Sequence, residues 1–520
     1  MKYLAPVLVL ALAASANTQT VQHVIVVVQE NRSPDNLFGA DSALLAKGGN
    51  IWDISQAAPC SWKGKSRPTL LQPLPLDTCF DPIHNHNSWE LTYDNGKMDQ
   101  ACAVLPANNT CSKLPYPNYG YVDNSQHILD PYFNVVANYG FANYMFQTNQ
   151  GASFPAHLFL FSGTSAPVGD DGDPQMFWQW FVADNPTKLN LSGCTASLIQ
   201  VAVEIDPNGN EGPGYKPPYP PGAGAGFPCY NTKTMADLLD AAGISWKYYT
   251  PRYPAGIWTA PAAIAGICSP IVNGQCTGSD WVNHVVTPTE TNASPVLTDI
   301  QACKLPAVSW VMPDGRWSDH PGTANNEDAG PSWIAALVNA VGGENKYRPQ
   351  GCDYWSNTVI LVLWDDWGGW FDHVSPATSA GGPGIGYPNQ TGQQYVYGFR
   401  VPLLVVSAYT KPGYVSGPPS TPVCPNYYCH DFGSILGFIE HTFGLGEIYP
   451  TYHYADYFAP DGPPSCPTCT YPLADFFGTQ FNTFVPINGA KYAPDCFINP
   501  KSCYKNFEFS NPDNDGKDDD

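Results

Sequence analysis

Two adjacent carboxylates, Asp365 and Asp366, follow directly on an uninterrupted apolar run, Thr358-Val-Ile-Leu-Val-Leu-Trp364. Neighbouring like charges repel unless a cation or a proton lies between them. The flanking Trp364, Trp367 and Trp370 favour a partly buried pocket over a solvated acidic turn. A second oxygen-bearing pair, Glu30-Asn31, follows another β-branched run, Val21-Gln-His-Val-Ile-Val-Val-Val28. Glu, Asn and Asp oxygens suit a hard divalent cation, and no thiolate is called for. Ser153, in Gly151-Ala-Ser-Phe-Pro-Ala-His157, follows a small-residue turn and precedes the apolar Leu158-Phe-Leu-Phe161. A serine presented there has the geometry of a nucleophile, with main-chain N–H groups aimed at an anion. Taken alone, it reads more simply as a helix cap.

Both oxygen pairs lie where a strand is expected to end. A continuous β-branched run marks a strand buried on both faces of a mostly parallel sheet. In open α/β sheets ligands bind beyond the carboxyl ends of such strands, so the four side chains are placed to converge. Further strands are expected within 243–249, 306–312 and 401–407, and helices within 234–242, 325–341 and 434–443. Residues 130–146 read as a helix followed by a short strand, and the apolar segment after Ser153 as a helix. This alternation indicates α/β architecture, and there are no internal repeats.

The chain has 520 residues, 43% of them hydrophobic and 13% charged, which indicates a large globular core rather than disorder. Fifty-two prolines and 47 glycines imply long ordered loops. A net charge of −22 disfavours nucleic-acid binding and a polybasic membrane role. Lys2, the apolar run from Leu4 to Ala13 and Ala14-Ser-Ala16 read as a secretory signal. No other stretch approaches the roughly 18 apolar residues of a membrane span. Sixteen cysteines in an exported chain imply disulfides, with Cys102/Cys111, Cys268/Cys276 and Cys496/Cys503 as local candidates. Cys466-Pro-Thr-Cys469 is read as structural. Asn108, Asn190, Asn292 and Asn389 lie in sequons, which matter in a eukaryotic host. The expected organisation is a signal peptide at 1–16 and a catalytic domain at 17–445, with loop-rich insertions at about 40–125 and 165–230. A Cys/Pro-rich extension at 446–510 packs on the core, and an acidic disordered tail covers 511–520.

Six blocks occur in one order: Gln29-Glu-Asn-Arg-Ser-x-Asp-x-x-Phe-Gly39, Gly-x-Ser-Phe-Pro-x-His157, Ser-Asp-His-Pro-Gly322, Asp-Asp-x-Gly-Gly-x-Phe-Asp-His-Val374, Val401-Pro and Ser434-Ile-Leu-x-Phe-Ile-Glu440. Over about 21–443 this set resembles the phosphoesterase family of bacterial and plant non-specific phospholipases C and their acid-phosphatase relatives, in the alkaline-phosphatase-like superfamily. The resemblance implies a three-layer sandwich around a central, mostly parallel sheet. It implies Glu30, Asn31, Asp365 and Asp366 as ligands of a divalent metal (Ca, Mg, Mn or Zn), and Ser153 as a nucleophile that also touches the metal. It matches His86 and His320 to histidines that contact the phosphoryl group or the leaving oxygen. Asp372 and His373, with His157 and Asp319, take supporting roles. His84 is read as a surface turn residue, and His127 and His430 as structural. Trp367, Ser153 and His157 depart from the phospholipase pattern, and the Asp365-Asp366 pair and the Ser153-Phe-Pro155 block look closer to the acid-phosphatase-like branch.

The expected function is that of a secreted, metal-dependent phosphoesterase acting through a phosphoserine, with His320 protonating the leaving group and His86 contacting a phosphoryl oxygen. Its partner is a phosphate ester, either a small molecule or a phospholipid, and not nucleic acid. A phospholipase C is the rival within enzymes. A catalytically inactive secreted binding protein on the same scaffold is the rival from another class. A sulfatase is disfavoured by the absence of the Cys/Ser-x-Pro-x-Arg signature.

Overall fold

Val24, Ile25, Val26, Val27 and Val28 have no exposed surface, so the first β-branched run is buried on both faces. Each such side chain contributes about 1.5–3 kcal/mol relative to exposure. This run belongs to the central sheet of a computed structural model that describes residues 21–39, 54, 57–104, 114, 116–165, 181–186, 192–205, 211–213, 222–252, 256–322, 328–343, 352–376, 397–417, 430–448, 471–504 and 507–509. The expected signal segment, Cys111, the Cys466/Cys469 pair, the acidic tail and the sequons at Asn108, Asn190 and Asn389 lie outside these residues.

Among the described residues the sheet has eight strands: β1 (His23–Gln29), β2 (Gly140–Ala142), β3 (Trp246–Tyr249), β4 (Val285–Val286), β5 (Val308–Val311), β6 (Thr358–Trp364), β7 (Leu403–Ser407) and β8 (Tyr414–Ser416). Their spatial order is β4-β3-β5-β1-β6-β7-β2-β8, and β7 alone runs against its neighbours. β1 sits between β5 and β6, parallel to both. Its register on β6 runs from His23↔Thr358 to Gln29↔Trp364. The mostly parallel sheet expected from the sequence is therefore present, with both apolar runs at its centre.

The helices used below are α1 (Pro34–Phe38), α2 (His86–Tyr93), α3 (Asp130–Asn138), α4 (Ser153–Ser162), α5 (Met235–Ala242), α6 (Pro295–Gln301), α7 (Gly330–Gly342) and α8 (Phe432–Phe443). Side chains alternate between the two faces of a strand, so the register assigns each helix to a side. Trp310 of β5 pairs with Val26, and its indole donates to the Leu160 carbonyl of α4 at 3.0 Å. Gln29 and Trp364, an odd number of residues further along, meet Tyr132 of α3 instead. Hence α3 and α4 cover opposite faces. α7 packs with α3 and α6, and α8 and α5 pack with α4.

The described part of the insertion at 40–125 is more ordered than its composition implies. It holds an antiparallel hairpin, Ala57–Trp62 with Lys65–Leu70, a short strand Gln72–Leu74 paired with Gly120–Val122, and α2. Proline faces proline in the hairpin, at Pro59 and Pro68, which hides its strand pattern from sequence. The described part of 165–230 likewise forms a small sheet from Phe181–Pro186, Ala202–Ile205 and Glu211–Gly212. Cys268–Cys276 and Cys496–Cys503 are bridged as expected. Cys102, however, bonds Cys60 rather than Cys111, closing the hairpin onto the segment at 101–103. Cys194–Cys229 and Cys303–Cys352 are also bridged.

Candidate active site

Because β1, β5 and β6 are parallel and in register, their carboxyl ends open on one edge. Glu30 and Asn31 follow β1, Ser318, Asp319 and His320 lie beyond β5, and Asp365 and Asp366 follow β6. Backbone bonds extend the ladder into the site: Glu30 N–H donates to the Ser318 carbonyl at 2.7 Å, and Asp365 N–H to that of Gln29 at 3.0 Å. Two residues at this edge have left-handed backbone, Asn31 at φ 57° and Asp319 at φ 71°. Non-glycine residues in that region are uncommon, and they cluster at functional sites.

The four expected ligands and Ser153 come together, and all are buried. Asn31 N–H donates to Asp365 Oδ1 at 3.1 Å. The Ser153 hydroxyl donates to Asp366 Oδ2 at 3.1 Å, with Asn31 Oδ1 at 3.4 Å. Ser153 is the first residue of α4, and His157 lies one turn on, on the same helix face. His157 Nε2 is 3.1 Å from Glu30 Oε1 and 3.5 Å from Asp365 Oδ2. The tight turn after the aspartates needs its glycines: a Cβ on Gly368, whose φ is 64°, would stand 2.4 Å from the Asn31 carbonyl oxygen. Gly368 N–H donates to Asp366 Oδ1 at 2.6 Å and fixes that carboxylate. Trp364, Trp367 and Trp370 are fully buried around it.

The backbone N–H of Phe154 is taken by Asn185 Oδ1 at 3.0 Å, so it is bonded to a side chain rather than open to an anion as the sequence implied. Asn185 belongs to the strand Phe181–Pro186, which lies against the α4 entry turn.

The electrostatics are those of a negative site short of positive charge. Burial raises the Glu30 carboxyl well above the usual range, and the Asp365 charge adds to this. Asp366 is raised by burial first and then by Asp365. Burial also works to raise Asp365, but its hydrogen bond and charge interaction with His157 outweigh it and hold this carboxyl below the usual range. Glu30 Oε2 has no hydrogen-bond partner among the described residues, and Asp365 Oδ2 has only the long 3.5 Å contact with His157. Orphaned carboxylate oxygens at zero exposure are costly unless a cation joins them, so the donor set fits a divalent metal.

The histidines sort differently from the sequence reading. His320 is in the site, with Nε2 3.1 Å from Asn31 Nδ2. His84, read as a surface residue, is buried and stands at the same 3.1 Å on the other hydrogen of that amide. The Nδ1 atoms of both rings lie against carbonyl oxygens, of Pro82 at 2.7 Å and Pro321 at 2.5 Å. A carbonyl only accepts, so each Nδ1 carries a hydrogen and each Nε2 faces Asn31 as an acceptor. This fixes the Asn31 amide with its oxygen toward Ser153. His86 is buried but turned elsewhere: Nδ1 bonds the Gln150 carbonyl at 2.8 Å, the ring stacks on Trp89, and its main-chain N–H donates to Asp184 Oδ2 at 3.0 Å. His84 precedes the N-cap Asn85, whereas His86 is the first residue of α2. Reading Asn85 as a cap would have separated the two rings.

Asp319 lies behind His320. Its Oδ2 accepts from Tyr132 at 2.5 Å and its carbonyl from Arg32 at 3.0 and 2.6 Å, while burial pushes its carboxyl up to about 7. Asp372 receives a fork from Arg400 at 2.9 Å on each oxygen, and His373 Nδ1 is 2.8 Å from Asp35. With Arg400 already there, this second acidic group is a salt-bridge network that fastens the loop after β6. His127 is exposed, and His430 is buried against Ser416 and Asp475.

The chain is 25% identical to the non-hemolytic phospholipase C of Pseudomonas aeruginosa over 465 residues, which cover 83% of this chain and 55% of that protein. It is 25% identical to phospholipase C A of Mycobacterium tuberculosis over 449 residues, covering 79% of this chain and 73% of that one. A shorter match, 29% identical over 162 residues, links it to non-specific phospholipase C6 of Arabidopsis thaliana. The chain thus spans about half the length of the Pseudomonas relative. Among the described residues no helix is long and apolar enough to cross a membrane. A family model matches residues 21–446, from the start of β1 past the end of α8, and this chain belongs to the phosphoesterase family.

Proposed function

We propose that the chain hydrolyses phosphate esters with Ser153 as nucleophile, on an alkaline-phosphatase-like sandwich. The observation that carries this is the bond from Ser153 Oγ to Asp366 Oδ2 inside a buried cluster of carboxylates. Glu30, Asn31, Asp365 and Asp366 would hold a divalent cation, which would supply positive charge to the ester oxygens and to the Ser153 oxygen as it loses its proton. Ser153 Oγ attacks phosphorus, its proton leaving along the bond to Asp366, and the bond from phosphorus to the leaving oxygen breaks. His320 enters this step as the imidazolium, with Nδ1–H kept on the Pro321 carbonyl and Nε2–H turned from Asn31 to the ester, and gives its Nε2 proton to that oxygen. His84 takes the role expected of His86: as the imidazolium, with Nδ1–H on the Pro82 carbonyl, it donates Nε2–H to a phosphoryl oxygen. Water then cleaves the phosphoserine and releases phosphate. Export suits five disulfides among the described residues.

For the substrate, an acid-phosphatase-like monoester is the first reading. Cleavage of a phospholipid headgroup is the second, favoured by the names of the relatives. Hydrolysis of p-nitrophenyl phosphate and of p-nitrophenylphosphorylcholine, each with and without chelator, separates them. Monoester turnover that chelation abolishes supports the first, and turnover of the choline diester alone the second. Inactivity on both with added divalent ions removes the enzymatic reading. Ser153→Ala should lower the active reaction by at least about 10³-fold with the fold intact, and near-wild-type turnover would exclude this nucleophile.

A further inference from the structure

We propose that His157 is a metal ligand, and that with Glu30 and Asp365 it forms a nitrogen-bearing corner selecting a borderline transition-metal dication of the zinc or cobalt type over magnesium or calcium. The inference rests on the metal-dependent reading above and adds to its four oxygen donors a residue read from sequence as merely supporting.

Three observations carry it. The first is spacing. Metal–nitrogen and metal–oxygen bonds of about 2.0–2.2 Å place neighbouring ligand atoms about 2.9–3.5 Å apart in octahedral or tetrahedral arrangements. His157 Nε2 lies 3.1 Å from Glu30 Oε1 and 3.5 Å from Asp365 Oδ2. One ligand atom from each of the three residues lies within 4.8 Å of the others. The second is the state of these atoms. All three side chains have zero exposure, and Glu30 Oε2 lacks a hydrogen-bond partner among the described residues. An ion pair with His157 alone leaves Glu30 Oε2 unsatisfied and Asp365 Oδ2 with a single contact at 3.5 Å, whereas a shared cation draws on both. The third is helical phase. Ser153 and His157 are separated by one turn of α4, so the helix that presents the nucleophile turns an imidazole toward the same acids. Carboxylate and carbonyl oxygens alone suit magnesium and calcium, while an imidazole shifts preference toward zinc and its neighbours.

The test uses the full chain stripped by chelation and titrated calorimetrically with Zn²⁺, Co²⁺, Ca²⁺ and Mg²⁺ separately. Wild type should bind Zn²⁺ and Co²⁺ at least about tenfold more tightly than Ca²⁺ or Mg²⁺. His157→Gln should lose about 10- to 100-fold toward Zn²⁺ and Co²⁺ while Ca²⁺ affinity holds, the scale set by losses at other metal sites. The Co²⁺-loaded wild type should also show an exchangeable, paramagnetically shifted imidazole N–H proton resonance that His157→Gln removes. Should that variant fail to fold, the resonance surviving in both His84→Gln and His320→Gln supports the assignment, and its absence from wild type overturns it. Unchanged Zn²⁺ affinity in folded His157→Gln makes His157 an ion-pair partner only, and leaves the proposed hydrolysis standing. Failure of every cation to bind overturns both.

Discussion

His84 and His86 are two positions apart and face different partners. The ring before the helix cap meets the Asn31 amide, and the ring inside the helix meets the Gln150 carbonyl. His84→Ala is therefore expected to lower kcat by about 10²-fold with little change in melting temperature. His86→Ala should instead lower the melting temperature, because it removes a buried bond and a stacked ring beside Asp184. Steady-state rates and thermal melts on the two variants check this, and a catalytic defect confined to His86→Ala would reverse the assignment. At this scale the acidic pairs and Ser153 were legible, because their places follow from strand ends and a helix start. The choice between His84 and His86 was not, because it depends on where the Asn85 cap falls. Nor was the bond from Asn185 to Phe154 N–H, which comes from a strand inside an insertion.

Among the elements, the two long β-branched runs were readable because a strand buried on both faces needs no alternation. β4, of two residues, and β8, of three, fall below any pattern and are defined only by their neighbours. The turn after β6 is where an element directly shapes the site. Gly368→Ala adds a Cβ that meets the Asn31 oxygen in a backbone conformation L-residues avoid, and should reduce unfolding free energy by about 1–3 kcal/mol. Gly64 provides the comparison: its φ is 71°, but a methyl group there would have nothing within 4 Å. Gly64→Ala should then cost only the backbone share, under about 1 kcal/mol. Urea unfolding of both variants measures the difference, and equal losses would mean that the contact with Asn31 carries no weight.

For the whole molecule, stability should depend on pH through the buried acids. Asp319 titrates at about 7 in the fold, against an ordinary value of 3.8. The folded state therefore holds its proton where the unfolded chain has lost it, and stability falls as pH rises through this window. The contribution is fully present below 3.8 and gone above about 7. Asp184, raised by burial to about 6, acts in the same sense. Chelated Asp319→Asn should show a flatter decline than wild type between about pH 4 and 7, measured by urea unfolding at several pH values. Identical slopes would place the bound proton elsewhere. The sheet order has one more consequence. β1 comes first in the chain, yet both of its neighbours, β5 and β6, lie far downstream. Until residue 364 has been made, the middle of the sheet has a gap on one side and Glu30 has no Asp365 to meet. Folding of the core is therefore a late event in synthesis, governed by long-range closure and expected to be slow. Any fragment ending before that point carries the first half of the site with nothing to complete it.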